Sequence, residues 1–173
     1  MSLLRCFFPD YHLRSVYDLT PAWLADHGFR ALILDIDNTL VSPNAPADAA
    51  ARDFAAQMLA AGVACLVLSN NGEERACSFA ADLGWLYLAK AKKPSPKGFR
   101  KALELLHADP SSTLAVGDQF YTDVLGAHRA GLRSLLVDAL DPAHEQSFVR
   151  VKRFFERPLR RAWLRSRARE RRA

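Results

Sequence analysis

The chain of 173 residues has few cysteines and no long hydrophobic segment. Its three cysteines, Cys6, Cys65 and Cys77, form no CxxC pair. This excludes a disulfide framework and a cysteine-based zinc site, and it favours a reduced, cytoplasmic setting. The longest apolar runs, such as residues 63–68, are far shorter than the roughly 20 residues of a membrane helix. The N-terminus also lacks the basic and apolar regions of a signal peptide.

Charge is distributed unevenly along the chain, although the net charge is only +5. Residues 150–173 contain 11 Lys and Arg and 2 Glu, whereas residues 1–149 contain 13 Lys and Arg against 17 Asp and Glu. We therefore predict two parts, a mildly acidic domain over residues 1–142 and a basic, partly helical tail over residues 143–173. Such a tail indicates a polyanionic partner, either an anionic membrane or nucleic acid. The tail contains no recognisable nucleic-acid module, which argues against nucleic acid.

Half of the residues are hydrophobic, which is enough for the core of one domain. Apolar runs alternate with segments of helical pattern, and this order predicts a parallel sheet flanked by helices, a three-layer Rossmann-like α/β fold. The predicted strands are residues 31–36, 63–68, 85–89, 113–116 and 132–137, and helices are expected to start near Pro46, Asn71, Ser95 and Tyr121. Functional residues are then expected just beyond the carboxyl ends of the strands.

The first predicted strand ends in Asp35-Ile36-Asp37-Asn38-Thr39. An aspartate in a buried apolar run has a high desolvation cost unless something compensates its charge, and a metal ion is the simplest compensation. The alternative interpretation is a strand-end turn capped by Asp and Asn.

Polar residues follow the other strands as well. Ser69 and Asn70 follow the second strand, where they either cap a helix or bind an anion. The third strand leads into the basic segment 90–97, which is either a solvated loop or a means of placing one lysine at the sheet edge. Asp118 and Asp123 follow the fourth strand, and carboxylate oxygens suit Mg²⁺. Asp123 alone could equally be an acidic residue at a helix start.

In this order, these residues resemble the four motifs of the haloacid dehalogenase (HAD) superfamily of phosphotransferases. Motif one is DxDxT, here Asp35 to Thr39, and motif two is Ser69. Motif three is a lysine, which we place at Lys93, and motif four is Gly117-Asp118 with Asp123.

The finer pattern resembles the YqeG-like branch of subfamily IIIA. This branch has an early Pro-Asp, a Lys-Pro loop and a GDQ…TD…GL block. They correspond here to Pro9-Asp10, Lys93-Pro94 and residues 117–132. The resemblance covers roughly residues 7–140 and leaves the basic tail outside.

The resemblance implies a phosphatase in which Asp35 is the nucleophile and forms an aspartyl-phosphate. Mg²⁺ would be held by the carboxylates of Asp35 and Asp118 and by the backbone carbonyl of Asp37. Asp37 would also act as the general acid and base.

The remaining motif residues are expected to bind phosphate or to support the site. By the resemblance, the phosphoryl oxygens are bound by Ser69, Asn70 and Lys93. The positive charge of Lys93 also balances the negative charges of the carboxylates. Thr39 and Asp123 would lie behind these groups, with Asp123 supporting Lys93 or a metal-bound water.

The spacing of the motifs leaves no room for a cap domain. The intervals from Asp35 to Ser69 and from Ser69 to Lys93 are each too short for a further domain of roughly 50 residues. We therefore predict a capless enzyme with an open site. Such a site suits a phosphate presented by a lipid, a polymer or a protein, or a site that a second copy of the chain completes in a homo-oligomer.

Apolar residues recur at helical spacing in the basic tail: Phe148, Val151, Phe155, Leu159, Ala162 and Trp163. A basic amphipathic helix is typical of membrane-surface binding, here through residues 148–172, at the inner face of a membrane. Alternatively, the apolar stripe packs on the sheet. Pro158 is expected to interrupt the helix, and residues 165–172 to be disordered. We expect the tail to decide location and not chemistry.

The sequence does not select one substrate. The branch is similar to mitochondrial phosphatases that act on phosphatidylglycerophosphate, so a lipid phosphate is one candidate. A nucleotide or sugar phosphate is another. A third alternative is a receiver-like phosphoacceptor without enzymatic activity, against which the second aspartate, Asp37, argues.

Overall fold

A computed structural model describes residues 3–143 and 147–170 of the chain. At its centre is a six-stranded sheet whose neighbouring strands are all parallel, in the order β1-β6-β5-β2-β3-β4. The strands are β1 (Tyr11–Leu13), β2 (Ala31–Leu34), β3 (Ala64–Leu68), β4 (Leu86–Leu88), β5 (Thr113–Gly117) and β6 (Arg133–Val137). The predicted three-layer α/β fold is confirmed.

Helices cover both faces of this sheet. They are α1 (Pro21–Asp26), α2 (Ala49–Ala60), α3 (Glu73–Leu83), α4 (Pro96–Leu106), α5 (Leu125–Arg129) and α6 (Ser147–Glu170). Leu32 and Leu34 of β2 lie in the core cluster that α2 and α3 close, whereas Ile33 lies in the cluster that α4 and α5 close. Since alternate residues of a strand point to opposite faces, a strand buried on both faces is a continuous apolar run.

Two helix starts differ from the sequence-based expectation. Helix α2 begins after Asp48 and not at Pro46, because the Asp48 side chain accepts a hydrogen bond from the backbone N–H of Ala51 (2.8 Å). Asn71, the expected cap of α3, instead donates its side-chain amide to Asp37. The start of α2 is therefore set by a local cap, whereas a long-range contact engages the side chain that was expected to cap α3.

No separate cap domain interrupts the described chain between the motifs. Only a loop, α2 and β3 lie between Asp35 and Ser69, and only α3 and β4 lie between Ser69 and Lys93. The predicted capless architecture is therefore confirmed. The predicted domain boundary between residues 142 and 143 stays a prediction.

The basic tail forms one long helix, α6, which continues through Pro158. The predicted interruption at Pro158 and the predicted disorder from residue 165 are wrong as far as Glu170, the last residue described. Leu159 and Trp163 are buried just after the proline, and their packing holds the helix on the body of the domain. No helix in the described part of the chain is both long and apolar enough to span a membrane.

Strand β1 was not predicted from the sequence, because its three residues form no apolar run. It joins the sheet edge beside β6, and Asp10 ties it there. The carboxylate of Asp10 accepts hydrogen bonds from the backbone N–H of Ser134 (2.8 Å) and from the ring of His128 (2.9 Å). The other ring nitrogen of His128 contacts the carbonyl oxygen of Cys6 at 2.8 Å. Nε2 of His128 also lies 2.9 Å from the hydroxyl oxygen of Ser134. The Asp10 carboxylate and the Cys6 carbonyl act as acceptors at the two ring nitrogens, which favours the imidazolium form of His128.

The charged forms of Asp10 and His128 stabilise each other. Burial favours neutral His128, but its bonds to Asp10 and to the Cys6 carbonyl outweigh burial and raise the pKa of His128. Burial likewise favours neutral Asp10, but the bonds from His128 and Ser134 outweigh it and lower the pKa of Asp10.

We expect Asp10→Asn to lower the free energy of unfolding by about 1–3 kcal/mol, because a charged hydrogen-bonding partner is lost. The pair contributes fully to the free energy of unfolding at pH values between 3.8 and 6.5, the ordinary pKa values of Asp10 and His128. It is lost on acidification through the lowered pKa of Asp10 and on alkalinisation through the raised pKa of His128. Urea titrations at pH 5, 7 and 9 measure it, with the exposed Asp26→Asn as control. An effect of Asp10→Asn that does not shrink towards pH 9 contradicts the ion pair.

Candidate active site

The candidate active site lies at the carboxyl ends of three adjacent strands. Asp35 follows β2, Ser69 follows β3 and Asp118 follows β5, and all three residues are buried. Because these strands are parallel neighbours in the sheet, their carboxyl ends meet at one edge. The sequence-predicted motif residues therefore converge in space, although they lie far apart in the chain.

Lys93 crosses this edge and pairs with two carboxylates. Its Nζ lies 2.8 Å from Oδ1 of Asp35 and 2.7 Å from Oδ1 of Asp123. The Lys93 side chain is only 3% exposed, whereas Lys90, Lys92 and Lys97 of the same segment are exposed. The structure thus places Lys93, the lysine chosen from the sequence, among the carboxylates.

The backbone around Lys93 is held by Asn70. The side-chain oxygen of Asn70 accepts a hydrogen bond from the N–H of Lys93 (2.7 Å), and its amide donates to the carbonyl oxygen of Lys93 (3.1 Å). The next peptide bond, Lys93-Pro94, is cis.

Burial disfavours the charged ammonium of Lys93, but the attraction of Asp123 and Asp35 outweighs burial and raises the pKa of Lys93. The two carboxylates therefore favour the charged form of Lys93.

A third carboxylate, that of Asp118, lies beside the two that pair with Lys93. Asp35, Asp118 and Asp123 each offer an oxygen, and these atoms all lie within 4.8 Å of one another. Burial raises the pKa of Asp35 to about 6 against the opposing pull of Lys93, and it also raises the pKa of Asp118. Close, buried carboxylate oxygens are the ligands that Mg²⁺ prefers, so this donor set fits a divalent cation.

Asp123 is fixed by a turn that the sequence did not predict. The expected helix after residue 120 begins as a π-helical turn, Phe120–Val124, before α5. There Oδ2 of Asp123 accepts hydrogen bonds from the N–H of Gln119 (3.1 Å) and from the Thr122 hydroxyl (3.3 Å). Asp123 thus contacts Lys93, and its role in supporting that lysine stays a prediction.

The carboxylate of Asp37 lies outside the three-carboxylate group. It accepts hydrogen bonds from the N–H of Asn44 (2.9 Å), from Arg75 (3.1 Å) and from the side-chain amide of Asn71. Asn71, in the turn before α3, and Arg75, in the first turn of α3, were not predicted as site residues. The implied metal contact of Asp37 is its backbone carbonyl, and that stays a prediction.

Two smaller polar residues complete the edge. The hydroxyl of Thr39 donates to Oδ1 of Asp118, a candidate metal ligand (3.4 Å), and the supporting role of Thr39 stays a prediction. The hydroxyl oxygen of Ser69 accepts a hydrogen bond from the N–H of Asn71 (3.1 Å). Ser69 therefore also shapes the turn that carries Asn71 towards Asp37.

Helix α6 also reaches the site, which the sequence did not predict. The guanidinium of Arg153 donates to the carboxylate of Asp118, and its Nη1 donates to the Asp118 carbonyl oxygen (3.4 Å). One turn further, the buried Glu156 accepts a hydrogen bond from the N–H of Tyr121 (3.0 Å), and burial raises the pKa of Glu156 to about 7. A residue of the predicted tail thus contacts a candidate metal ligand, and the expectation that the tail decides location and not chemistry stays a prediction. No short sequence pattern marks a contact between residues 35 positions apart.

Comparisons with known proteins agree with this architecture. Residues 90–142 match the HAD-hydrolase-like family. The chain is 34% identical over 137 residues to the Bacillus subtilis protein named "Probable phosphatase YqeG", covering 78% of this chain and 79% of that protein.

Two further proteins are more distant. Phosphatidylglycerophosphate phosphatase 1 of Arabidopsis thaliana is 28% identical over 152 residues, which cover 80% of this chain but only 42% of that protein. The solved structure of the cobalt-bound deoxy-D-mannose-octulosonate 8-phosphate phosphatase of Haemophilus influenzae has the same fold, with a TM-score of 0.50 and 17% identity. The match covers 64% of this chain and 69% of that one.

The parallel sheet, with motif residues at its carboxyl edge, defines a phosphatase of the HAD type. Within the HAD superfamily, the chain belongs to the YqeG-like phosphatase family, since it shares 34% identity with YqeG over most of both sequences.

Gly117 is required for the packing of Asp123, and we expect Gly117→Ala to disrupt the site. A Cβ atom at residue 117 would lie 2.3 Å from Cγ and 2.5 Å from Cβ of the buried Asp123. We expect a loss of about 1–3 kcal/mol in unfolding free energy, as in other overpacked cores. Gly72→Ala is the matched control, because a Cβ there meets nothing within 4 Å. Thermal unfolding compares the two, and equal midpoints would contradict the packing argument.

Proposed function

We propose that the chain is a Mg²⁺-dependent phosphomonoester hydrolase that works through an aspartyl-phosphate on Asp35. The observation that carries this proposal is the buried ammonium of Lys93 between Asp35 and Asp123, with Asp118 beside them. A phosphate dianion repels an anionic nucleophile, so the enzyme must neutralise charge around the transferring group. A fixed lysine and a carboxylate set for a divalent cation meet that requirement.

The metal would be held by the carboxylates of Asp35 and Asp118 and by the backbone carbonyl of Asp37. Bound there, Mg²⁺ supplies charge neutralisation for the phosphoryl oxygens. Arg153 is the present counter-ion of Asp118, and it would give up that carboxylate to the cation. Lys93, Ser69 and the neighbouring amides would bind the phosphoryl oxygens.

The chemical steps follow from the two aspartates of motif one. A carboxylate oxygen of Asp35 attacks phosphorus, the ester P–O bond breaks, and Asp37 gives its proton to the leaving alcohol oxygen. Asp37 then takes a proton from water, whose oxygen attacks phosphorus and breaks the P–O bond to Asp35. Inorganic phosphate leaves, and both aspartates return to their starting states. The contacts from Asn71 and Arg75 support an orienting role for these residues towards Asp37.

We expect Asp37→Asn to accumulate the aspartyl-phosphate when p-nitrophenyl phosphate is the substrate. Nitrophenolate leaves without a proton, so the first step survives, whereas attack by water loses its base and slows about 100-fold or more. A burst of about one nitrophenolate per chain, with a phosphoryl label released by hydroxylamine, reports the intermediate.

Asp35→Asn is the matched control and gives neither burst nor label. EDTA abolishes the burst, and added Mg²⁺ restores it. A burst in Asp35→Asn, or steady turnover of Asp37→Asn near the wild-type rate, contradicts the mechanism. A stable label on the wild-type chain would instead support a receiver-like phosphoacceptor.

We further propose a lipid phosphate, such as phosphatidylglycerophosphate, as the substrate class, reached by peripheral contact of α6 with an anionic membrane. Four apolar side chains on this helix are each at least half exposed: Val151 (57%), Phe154 (61%), Phe155 (60%) and Leu164 (51%). Arginines lie among them, and such a surface suits an anionic bilayer. The name of the Arabidopsis relative supports the same class. Of the predicted stripe, Leu159 and Trp163 pack on the domain, and the side chain of Phe148 lies outside the described residues.

We expect the double variant Phe154→Ser, Phe155→Ser to lower turnover of phosphatidylglycerophosphate in anionic vesicles at least tenfold relative to turnover of glycerol 3-phosphate. Inserting two aromatic rings into a bilayer contributes on the order of 3 kcal/mol, which the serines lose. Leu59→Ser is the matched control, since Leu59 is 76% exposed on α2, away from α6. No preference of the wild-type chain for the lipid contradicts this substrate class and favours a soluble sugar or nucleotide phosphate.

A further inference from the structure

A cavity of about 280 Å³ opens beside Asp118, between α6 and the carboxyl ends of β5 and β6. Arg153, Arg157 and Arg160 line it from the helix, and Phe120 and Leu136 are among the residues that line it from the body of the domain. The cavity therefore adjoins the candidate metal ligands, but most of its lining belongs to no sequence motif of the site.

The three arginines lie on one side of α6, because residues three and four apart are neighbours on a helix surface. Arg153 pairs with Asp118, and Arg160 lies 2.7 Å from Oδ1 of Asp138. Arg157, between them, is exposed and pairs with no carboxylate among the described residues. Its guanidinium lies 5.4 Å from the ring centroid of Phe154.

The carboxylates of the lining already have partners, and Asp118 is paired with Arg153 as described above. Asp138 is shared between Arg160 and the ring of His12, at 2.7 and 3.2 Å. Glu156 accepts the N–H of Tyr121. Among the three arginines of the lining, Arg157 is therefore the one that pairs with no carboxylate of the described residues.

We propose that this cavity binds a second anionic group of the substrate, of the phosphodiester class, with Arg157 as its main contact. The proposal rests on the proposed phosphatase function, since it places this group beside the phosphate that is hydrolysed. One helical turn of about 5.4 Å separates Arg157 from Arg153, which contacts Asp118. The two anions of the substrate would thus be joined by a short carbon spacer. A guanidinium matches this ligand because its planar fork donates two parallel hydrogen bonds to phosphate oxygens.

The test compares two soluble substrates that differ in the second anion. The deacylated headgroup of phosphatidylglycerophosphate carries a phosphodiester besides its monoester, whereas glycerol 3-phosphate carries the monoester alone. We expect the wild-type chain to prefer the headgroup, measured as the ratio of kcat/KM values for phosphate release. Arg157→Ala is expected to lower this ratio about tenfold, mainly through KM. Arg157→Lys, which keeps the charge without the fork, is expected to give an intermediate ratio.

Arg161→Ala is the matched control, because Arg161 is an exposed arginine of the same helix and is not among the residues that line the cavity. It removes the same charge and should keep the ratio within about twofold. An unchanged ratio in Arg157→Ala, or an equal fall in Arg161→Ala, overturns the proposal. So does a dependence on Arg157 that is seen only with the lipid in vesicles, since that outcome assigns Arg157 to the membrane.

A binding measurement separates this inference from the proposed function. Glycerophosphoglycerol carries the phosphodiester without a monoester, so calorimetric titration reports the cavity without turnover. Binding by the wild-type chain and Arg161→Ala, at least tenfold weaker in Arg157→Ala, supports the site even if no substrate is hydrolysed. Absence of binding by the wild-type chain at millimolar concentration overturns the site even if the phosphatase activity is established.

Discussion

The structure depends on placing three carboxylates in one buried space at the end of the sheet. Desolvation makes the charged forms of Asp35 and Asp118 costly, and their mutual repulsion adds to that cost. The compensation is local: Lys93 bridges Asp35 and Asp123, and Arg153 pairs with Asp118. Such a cluster is tolerated only where fixed cations meet it, so the elements that carry these cations are bound to the site by charge as well as by packing.

This constraint explains several features that are otherwise unrelated. The segment before α4 must bring one buried lysine over the strand ends, and Asn70 holds its backbone for that purpose. Gly117 has no side chain, because Asp123 occupies the space where a Cβ would lie. Helix α6 is held at one end by Arg153 and at its middle by Leu159 and Trp163. The helix thus presents one side to the site and leaves another side, with Phe154 and Phe155, to solvent.

Much of the fold and of the site could be predicted from the sequence, for identifiable reasons. Strands buried on both faces are continuous apolar runs, and an aspartate directly after such a run is improbable without a function, which singled out Asp35 and Asp118. The choice of Lys93 came from the family resemblance, and the structure shows it buried while its neighbours are exposed. The short strand β1 and the π-helical turn at Phe120–Val124 had no such signal, because three half-buried residues and a local change of helical period leave no hydrophobic pattern.

The sequence by itself determined the alternating α/β order, the absence of room for a cap between the motifs, and the positions of Asp35, Ser69 and Asp118 at the strand ends. These properties follow from periodicity and spacing along the chain, which are local. Only the tertiary structure decided that the side chain of Asn71 donates a hydrogen bond to Asp37 and does not cap α3. It also decided that Arg153 of the basic tail forms an ion pair with Asp118. Both are contacts between residues more than 30 positions apart, and their partners are selected by how packed elements lie in space. The basic tail differs in charge from the rest of the chain, and the positive charge of its Arg153 is what binds it to Asp118 at the site.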